Sequence, residues 1–227
     1  MNLRHFSLLD ELIEHYISTG QPISSGYLAG VHNPCVSPAT VRNIMAELEE
    51  EGYLEKPHTS AGRIPSEKGY QAYVKSLGMT SLSPKLAQEI AHRIPSMNRE
   101  NLKAVAQYIA ENTGEMIYIA FGRNDTYYTG LSHLVSKPEF CKQELLADIT
   151  GLIDHLDRVL EEVLNDEKDD VSVYIGSQSC FGPACSTLVM RYTLNDMVCL
   201  LGILGPMRMN YSLNKAFLEE TRSIINT

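Results

Sequence analysis

The sequence predicts an α+β protein with two parts, an N-terminal winged helix-turn-helix and a smaller α+β domain after it. Three observations support this prediction. Helical apolar spacing recurs before residue 52 and is followed by a short strand, a polar turn and a return strand. A small, polar stretch at 78–84 ends in proline, which is typical of an interdomain linker. Residues 115–227 then follow the order ββαβββα, which indicates a sheet with helices on one face.

The first two helices are predicted from apolar spacing and from the breaks that end them. Apolar side chains recur at helical spacing in the first helix, at Phe6, Leu9, Ile13 and Ile17. Gly20 ends that helix. A short second helix is expected to start at Ser24 or Ser25 and to end near Gly30. Helix, short helix, turn and third helix is the order of a helix-turn-helix.

The third helix has the pattern of a recognition helix. Ser37 is a capping residue, and Pro38 suits the first helical position because its missing N–H would be unpaired there. One face is apolar and predicts burial: Val41, Ile44, Met45 and Leu48. The opposite face of the first turns carries small or hydrogen-bonding groups: Ala39, Thr40, Arg42 and Asn43. Such groups contact base edges when a helix enters the major groove.

A wing is predicted after Gly52, where residues 53–56 have the pattern of a short strand. Residues 58–63 then form a polar turn with a glycine and a cation at its tip. We expect the turn to place its polar side chains on the DNA backbone or in the minor groove: His58, Thr59, Ser60 and Arg63. The N-terminal part is therefore predicted to bind double-stranded DNA.

The charge of the chain is acidic, with a formal net charge of −9 and a pI near 5.3. Residues 1–78 hold six Lys and Arg against nine Asp and Glu, a balance of −3. The distribution matters more, because charges beyond about 10 Å are screened at physiological salt. Cations group near the start of the third helix and the wing: Arg42, Lys56, Arg63 and Lys68. We expect modest non-specific affinity and dependence on two half-sites.

Beyond the linker, the domain bounds are 1–78, 79–114 for linker and helices, and 115–227 for the sheet domain. Helices are expected at 84–93, 98–112, 138–165 and from 211 onward. Strands are expected at 116–121, 127–135, 171–176, 186–194 and 197–204.

Several classes of function are disfavoured by the residues. No apolar run is long enough for a membrane span, and the charged N-terminus is unlike a signal peptide, so a cytoplasmic protein is expected. Five cysteines without a CxxC pair argue for free thiols and against a disulfide framework or a zinc site. His58 and His133 have no partners at metal spacing, and Ser177 is not in a nucleophile elbow. We therefore expect no catalytic residues, no metal and no cofactor.

The motifs resemble one known family over much of the chain. VSPATVRNIMAELEE and GYLEKPHTSAGRIPSEKGYQAYV are similar to the heat-inducible transcription repressor family, HrcA. Downstream, SKPEF, VYIGS and GILGPMRMNY resemble that family's motifs and occur in the family's order. The resemblance is dense over 3–77, fades, and returns from about 131 to the end.

The chain departs from the family pattern in length and at single positions. Family members are roughly half as long again, and the missing part corresponds to the central region with an inserted dimerisation domain. Gly26 lies where the family usually has an arginine that can touch a phosphate. Other positions also differ from the family residue: Pro38, Ile44, Met207 and Asn210.

The resemblance implies a stress-responsive transcriptional repressor with a reduced GAF-like domain. It would bind an inverted-repeat operator ahead of heat-shock or chaperone genes as a homodimer, with a GroEL-type chaperonin as a possible partner. Dimerisation is expected through the sheet edge around 186–204 and the closing helix. Arg208 and Tyr211 are candidates for interdomain or dimer contact, although a structural salt bridge for Arg208 is an equal alternative.

Three other classes of function stay open on the sequence. The GAF-like part could gate DNA binding with a small ligand. The chain could be a protein-binding co-regulator with weakened DNA binding, because Gly26 replaces the family arginine. A DNA-tethered enzyme is the poorest alternative, since the C-terminal region lacks paired carboxylates or a nucleophile–base pair at recognisable spacing.

Overall fold

The computed structural model describes residues 3–32, 37–58, 62–122, 125–140, 151, 156 and 171–225. The chain forms two compact units, residues 1–78 and residues 79–227. The boundary lies inside the small, polar stretch at 78–84. Each unit has its own buried core, and each is described separately below.

The first unit contains four helices and a two-stranded sheet. Its elements are α1 (Leu3–Thr19), α2 (Ser25–His32), α3 (Pro38–Glu50), β1 (Leu54–Glu55), β2 (Ile64–Pro65) and α4 (Glu67–Ser76). β1 and β2 are antiparallel, with Leu54 opposite Pro65. The core is formed by the apolar faces of the helices: Leu8, Leu9, Leu12, Ile13, Leu28, Val41, Leu48 and Tyr70. These elements follow the order that the sequence predicts.

The base of the hairpin is fastened to the segment before α2. The backbone N–H of Ile23 donates to Arg63 O at 2.9 Å, and the N–H of Arg63 donates to Ile23 O at 2.8 Å. Gly62 lies so close that a Cβ there would be 2.3 Å from Ile23 O. Only glycine permits this approach of two backbones. The base of the hairpin and the start of α2 are thereby held together.

The second unit is a five-stranded antiparallel sheet with helices. Its helices are α5 (Pro84–Arg93), α6 (Arg99–Thr113), α7 (Leu131–Val135) and α8 (Tyr211–Ile225), with 3-10 turns at Pro138–Phe140 and Gly176–Gln178. Its strands are β3 (Met116–Ala120), β4 (Thr126–Thr129), β5 (Ser172–Ile175), β6 (Cys185–Leu194) and β7 (Met197–Pro206). The strand order is β4-β3-β7-β6-β5. α6 packs on β3 and α5 packs on α8, so residues 79–114 lie within this unit instead of forming a separate segment.

One face of the sheet is organised around Tyr118. Its ring lies over Gly202 on the neighbouring strand, where a Cβ would be 2.1 Å from the ring. Its hydroxyl is 2.9 Å from Thr187 Oγ1, and Thr187 donates to Ile203 O. Buried apolar side chains surround the ring: Met116, Ala120, Leu134, Phe140, Leu156, Phe181, Val189, Leu200 and Leu204. The glycine is needed at this position because the aromatic ring occupies the space of a side chain.

The predicted strand at 127–135 is wrong in its second half. β4 ends at Thr129, and residues 131–135 form α7. Gly130 has φ +77°, and a Cβ there would be 2.5 Å from Glu115 O, so the chain turns away from the sheet. Leu134 of α7 is fully buried against the core. The apolar spacing of residues 131–135 predicts strand alternation, but the left-handed turn at Gly130 is followed by a helix.

The other C-terminal predictions need two further notes. Of the predicted helix at 138–165, the described part is a 3-10 turn at Pro138–Phe140 and helical Gly151 and Leu156; the rest lies outside the described residues. The expectation of a sheet edge at 186–204 is wrong, because β6 and β7 each pair on both sides. The edge strands are β4 and β5. In a sheet of antiparallel hairpins, either β6 and β7 or β4 and β5 can be the outer strands. The spacing of apolar residues alone therefore does not determine the strand order.

Candidate nucleic-acid interface

The first turns of α3 present a polar face to solvent. Four predicted contact residues are exposed on this face: Ala39, Thr40, Arg42 and Asn43. Their neighbours Val41, Met45 and Leu48 are buried and hold the helix on the core of the first unit. The 3.6-residue period places the two sets on opposite sides. The exposed set can therefore approach a groove without disturbing the fold.

The start of α3 is fixed by its cap, as the sequence predicts. Ser37 Oγ accepts from the backbone N–H of Thr40 at 3.1 Å and lies 3.0 Å from Thr40 Oγ1. Pro38 occupies the first turn, where its missing N–H costs no hydrogen bond. Ser37 is exposed, so its hydroxyl also reaches solvent at the end of the helix. The cap and the exposed face lie side by side.

A cleft of about 300 Å³ opens beside this face. It lies among the start of α2, the face of α3 and the base of the hairpin, and it is lined by Ile23, Ser24, Ser25, Arg42, Met45, Lys56, Gly62 and Arg63. Ser24 Oγ accepts from the N–H of Tyr27 at 3.2 Å and caps α2. The first N–H groups of a helix attract anions, and Arg42 and Lys56 supply two exposed cations. The cleft suits a phosphate group.

Arg63 is engaged within the protein. Its Nε donates to Glu49 Oε2 at 2.6 Å, and its guanidinium nitrogen NH2 lies 2.5 Å from the same oxygen. Only 17% of its side chain is exposed. Because its charge is matched by Glu49 of α3, Arg63 joins the base of the hairpin to α3. The sequence placed Arg63 at an exposed wing tip, and the long-range partner Glu49 was not visible there.

The structure places the remaining predicted DNA-contact residues in different surroundings. His58 is exposed at the end of the hairpin's first arm, whereas Thr59 and Ser60 lie outside the described residues. Lys68 donates to Glu51 O at 2.7 Å and lies 4.3 Å from the centre of the Tyr53 ring, away from the cleft. Lys56, predicted as one of the cations near the wing, lines the cleft, and so do Ser24 and Ser25, which the sequence does not mark as contacts. Two serines at the start of a short helix were the available signal.

The predicted contact residues of the second unit are internal to it. Arg208 Nε donates to Glu139 Oε1 at 2.6 Å. Tyr211 is fully buried, and its hydroxyl donates to Met207 O at 2.7 Å and lies 2.9 Å from Ser186 Oγ. Asn210 caps α8 by accepting from the N–H of Leu213. The tyrosine side chain therefore offers no surface for another unit or subunit in this structure.

Arg208 belongs to a group of four charged residues, of which Glu115 is the buried carboxylate and Lys137 and Glu139 are the others. Glu115 is 2% exposed, and Lys137 Nζ donates to its Oε1 at 3.0 Å. A Cβ at Gly205 would be 2.3 Å from Glu115 Oε2, so the carboxylate fills the place of a side chain there. Burial raises the pKa of Glu115 to about 7, although Lys137 and Arg208 oppose the rise. The group joins β3, the turn after α7 and the loop after β7.

The described residues also bear on metal binding and on thiol chemistry. Within them, no three His, Cys, Asp or Glu side chains are placed to hold a metal ion. Cys180, Cys185 and Cys199 are free thiols, and burial raises the pKa of Cys185 to about 12. A low thiolate fraction makes Cys185 a poor nucleophile. In the same part of the chain, no helix is both long and apolar enough to cross a bilayer.

Comparison with a family model and with curated proteins gives a consistent result. The model of the HrcA protein C-terminal domain matches residues 71–213. A heat-inducible transcription repressor HrcA from Thermoanaerobacter sp. (strain X514) is 26% identical over 313 residues, covering 92% of this chain and 91% of that protein. The HrcA of Geobacter sulfurreducens is 53% identical over 74 residues, covering 33% of this chain and 22% of that protein.

The length of the first alignment also shows that the relative is longer than this chain. The alignment with the Thermoanaerobacter protein spans 313 positions, 86 more than the 227 residues of this chain. That relative therefore contains at least 86 residues without a counterpart here. A solved chain, described as a hypothetical protein at 2.2 Å resolution, matches 100% of this chain and 98% of its own length with a TM-score of 0.80. At 18% identity, that likeness shows the fold alone.

Proposed function

This chain belongs to the HrcA family, and on that basis we propose that it is a heat-inducible transcriptional repressor that binds DNA through its first unit. The first unit would act as a winged helix-turn-helix, and the second as a reduced GAF-like domain. The target would be an inverted-repeat operator ahead of heat-shock or chaperone genes. A GroEL-type chaperonin is the partner expected to keep the repressor competent.

The observation that carries the proposal is the exposed polar face of α3 beside a cationic cleft. α3 would enter the major groove, where Thr40, Arg42 and Asn43 reach base edges. The N–H groups at the start of α2, together with Lys56, would hold a backbone phosphate in the cleft. Phosphate contacts fix the register, and the α3 side chains then read the bases.

Arg63 has a different part in this proposal from the one that its position in the sequence indicates. Its ion pair with Glu49 and the backbone bonds to Ile23 hold the hairpin, α2 and α3 in one arrangement. The pairing also neutralises a carboxylate near the DNA-facing side of α3. Arg63 would therefore act as a positioning residue, while Arg42 and Lys56 make the direct contacts.

A dimer is the assembly that this surface needs. A single cleft with two exposed cations provides few phosphate contacts, and a second tethered half-site raises effective concentration to about the millimolar range. We place the dimer contact on the second unit, near edge strand β4 and the tip of the β6–β7 hairpin. Tyr128, Met197 and Val198 are large, apolar and exposed there. A two-fold axis would match the inverted repeat.

A co-regulator with weak DNA binding is the second candidate, favoured by one observation. Gly26 lies in the first turn of α2 and is exposed, and a Cβ there would meet no atom within 4 Å. The backbone at this position can carry a Cβ without a clash, yet this chain lacks the charge of the family's arginine. Loss of one phosphate contact weakens binding without removing the base-reading face.

Selection of bound sequences from a random duplex pool by the full chain tests the proposed function. We expect enrichment of an inverted repeat whose half-sites are separated by whole helical turns, which are about 10 base pairs each. The Arg42→Ala, Asn43→Ala double variant is the matched control and should enrich no such repeat. A pool that stays random with the wild-type chain would contradict DNA recognition and favour the co-regulator.

A further inference from the structure

A groove of about 1200 Å³ lies in the first unit between α1 and α4. It is lined by Phe6, Ser7, Asp10, Glu11, Glu14, Tyr53, Lys68, Gln71, Ala72, Lys75 and Ser76. None of these residues lines the cleft beside α3. The groove is therefore separate from the surface proposed for DNA.

The floor of the groove is apolar, and its length along α1 can be stated. Phe6, Tyr53 and Ala72 are half-buried there. On the α1 side the lining runs from Phe6 to Glu14, nine residues whose eight steps span about 12 Å at the helical rise of 1.5 Å per residue. That length matches about two turns of a helix laid along α1. Amphipathic helices bind grooves of this kind with their apolar face.

Two carboxylates of the α1 wall, Asp10 and Glu14, face the groove. Asp10 and Glu14 are one helical turn apart, and neither forms an ion pair with another described residue. Burial raises the pKa of Asp10, Glu14 adds to the rise, and only the hydroxyl of Ser76 opposes it. Like charges at this spacing on a helix repel each other. A cation placed between them would relieve that repulsion.

The α4 wall limits how an occupant can lie. Lys68 is held by Glu51 O and the Tyr53 ring at one end, and Lys75 is exposed at the other. Ser76 Oγ donates to the Asp10 carboxylate at 3.1 Å and holds it at the edge of the groove. Negative charge thus lies along α1, opposite the lysines of α4. An occupant needs cations on the side that faces α1.

We propose that this groove is a docking site for a basic amphipathic helix of a protein partner. Its apolar side chains would lie on Phe6, Tyr53 and Ala72, and its Lys or Arg side chains would pair with Asp10 and Glu14. Because the groove does not share residues with the α3 surface, partner binding and DNA binding can occur together. The partner would then be recruited to, or would act upon, the DNA-bound protein.

A titration of the full chain with a defined peptide tests the proposal. The probe is a synthetic amphipathic helix of about four turns, with leucines on one face and lysines beside them. Its control peptide has glutamates in place of the lysines. Binding is followed by backbone amide shifts in NMR spectra. We expect saturable binding of the lysine peptide, with the largest shifts at Tyr53 and Ala72 and none on α3.

Charge-matched variants separate groove binding from general attraction to an acidic protein. Asp10→Asn with Glu14→Gln should weaken peptide binding about tenfold. Glu50→Gln with Glu55→Gln removes the same net charge from exposed positions outside the groove and should leave affinity within about twofold. Equal weakening by both pairs, or equal binding of the glutamate peptide, would overturn the proposal. Self-association that depends on Asp10 and Glu14 in sedimentation would assign the groove to a second copy and would also overturn it.

Discussion

The start of α3 and the loop after β7 each carry an arginine within a family-like motif, but their surroundings are opposite. Arg42 is exposed on the polar face of α3. Arg208 is mostly buried and bonded to Glu139, beside the buried Glu115 and Lys137. An arginine can bind an external phosphate or base only when its donors are not already committed. Arg42 is therefore available for the DNA contact that we propose, whereas Arg208 holds parts of the second unit together.

This contrast predicts that, among the substitutions of these arginines, Arg208→Ala causes the largest loss of unfolding free energy. Removing the arginine leaves Glu139 without its partner and strips a cation from Glu115. Breaking a fully buried pair costs about 3–5 kcal/mol, and the 20% exposure of Arg208 reduces the expected loss to about 2 kcal/mol of unfolding free energy. Urea denaturation measures it. A variant that keeps its stability but loses dimerisation would show that Arg208 serves an interface instead.

The same buried group predicts a pH dependence of stability. Because the pKa of Glu115 is about 7 in the folded chain and near 4.5 when unfolded, the native state binds the extra proton between these values. Stability should therefore fall as pH rises from about 4.5 to 7, by about 1–3 kcal/mol, and should then level off. Glu115→Gln should flatten this slope relative to wild type. Parallel denaturation profiles for the two proteins would contradict the assignment.

On the recognition side, Arg42→Ala and Asn43→Ala should each weaken binding to the selected duplex by about 1–3 kcal/mol. Discrimination should relax at one base position in each case. Unfolding free energies should stay within about 0.5 kcal/mol of wild type, because both side chains are exposed. Fluorescence anisotropy titrations against the selected and scrambled duplexes measure the effect. Equal weakening on both duplexes would assign the pair to phosphate contacts only.

Arg63 tests whether an arginine that is paired inside the protein can also contact DNA. Its pairing with Glu49 predicts that Arg63→Ala leaves the salt dependence of DNA binding nearly unchanged. A direct phosphate contact would instead lower the slope by about 0.9. A double-mutant cycle with Glu49→Gln should show a coupling of about 0.5–1 kcal/mol in unfolding free energy. A salt slope that is smaller by about 0.9 in the Arg63→Ala variant would show that Arg63 contacts a phosphate directly.

Gly26→Arg should give the smallest and most diagnostic change. A cation in the first turn of α2 would add about one phosphate contact and steepen the salt slope by about 0.9. Gly30→Arg is a matched control, since Gly30 is exposed one turn further along α2 and also has free space around it. Both changes replace a helical glycine, so only the position differs. Similar slopes for the two variants would argue against a phosphate at the start of α2.

Local patterns predicted most of the first unit correctly because its elements depend on near neighbours. The Ser37 cap, Pro38 and the period of Val41, Met45 and Leu48 are all encoded within a few residues, and the structure shows each of them. The family resemblance is confirmed by the match over residues 71–213. The exposed face of α3 follows from the same periodicity, so the candidate contacts Thr40, Arg42 and Asn43 could be named in advance.

What the sequence missed depends on contacts between distant residues. Glu49 and Arg63 are 14 positions apart, and Arg208 and Glu139 are 69 apart, so neither pairing is visible locally. The strand order is also not visible locally. Spacing predicts an edge at 186–204, whereas β7 pairs with β3 on its other side and so lies inside the sheet. The helix α7 also escapes prediction from local spacing, since Gly130 lies close against the carbonyl of Glu115, 15 positions earlier in the chain.

The most direct test of DNA recognition by α3 is a salt-dependent anisotropy titration of the full chain with the selected inverted repeat and a scrambled duplex. We expect the repeat to bind at least tenfold more tightly at matched salt, and Arg42→Ala to remove most of that preference. Log affinity should fall linearly with log salt, with a slope of about −0.9 for each phosphate contact. Equal affinity for both duplexes at low salt, unaffected by Arg42→Ala, would contradict recognition by α3.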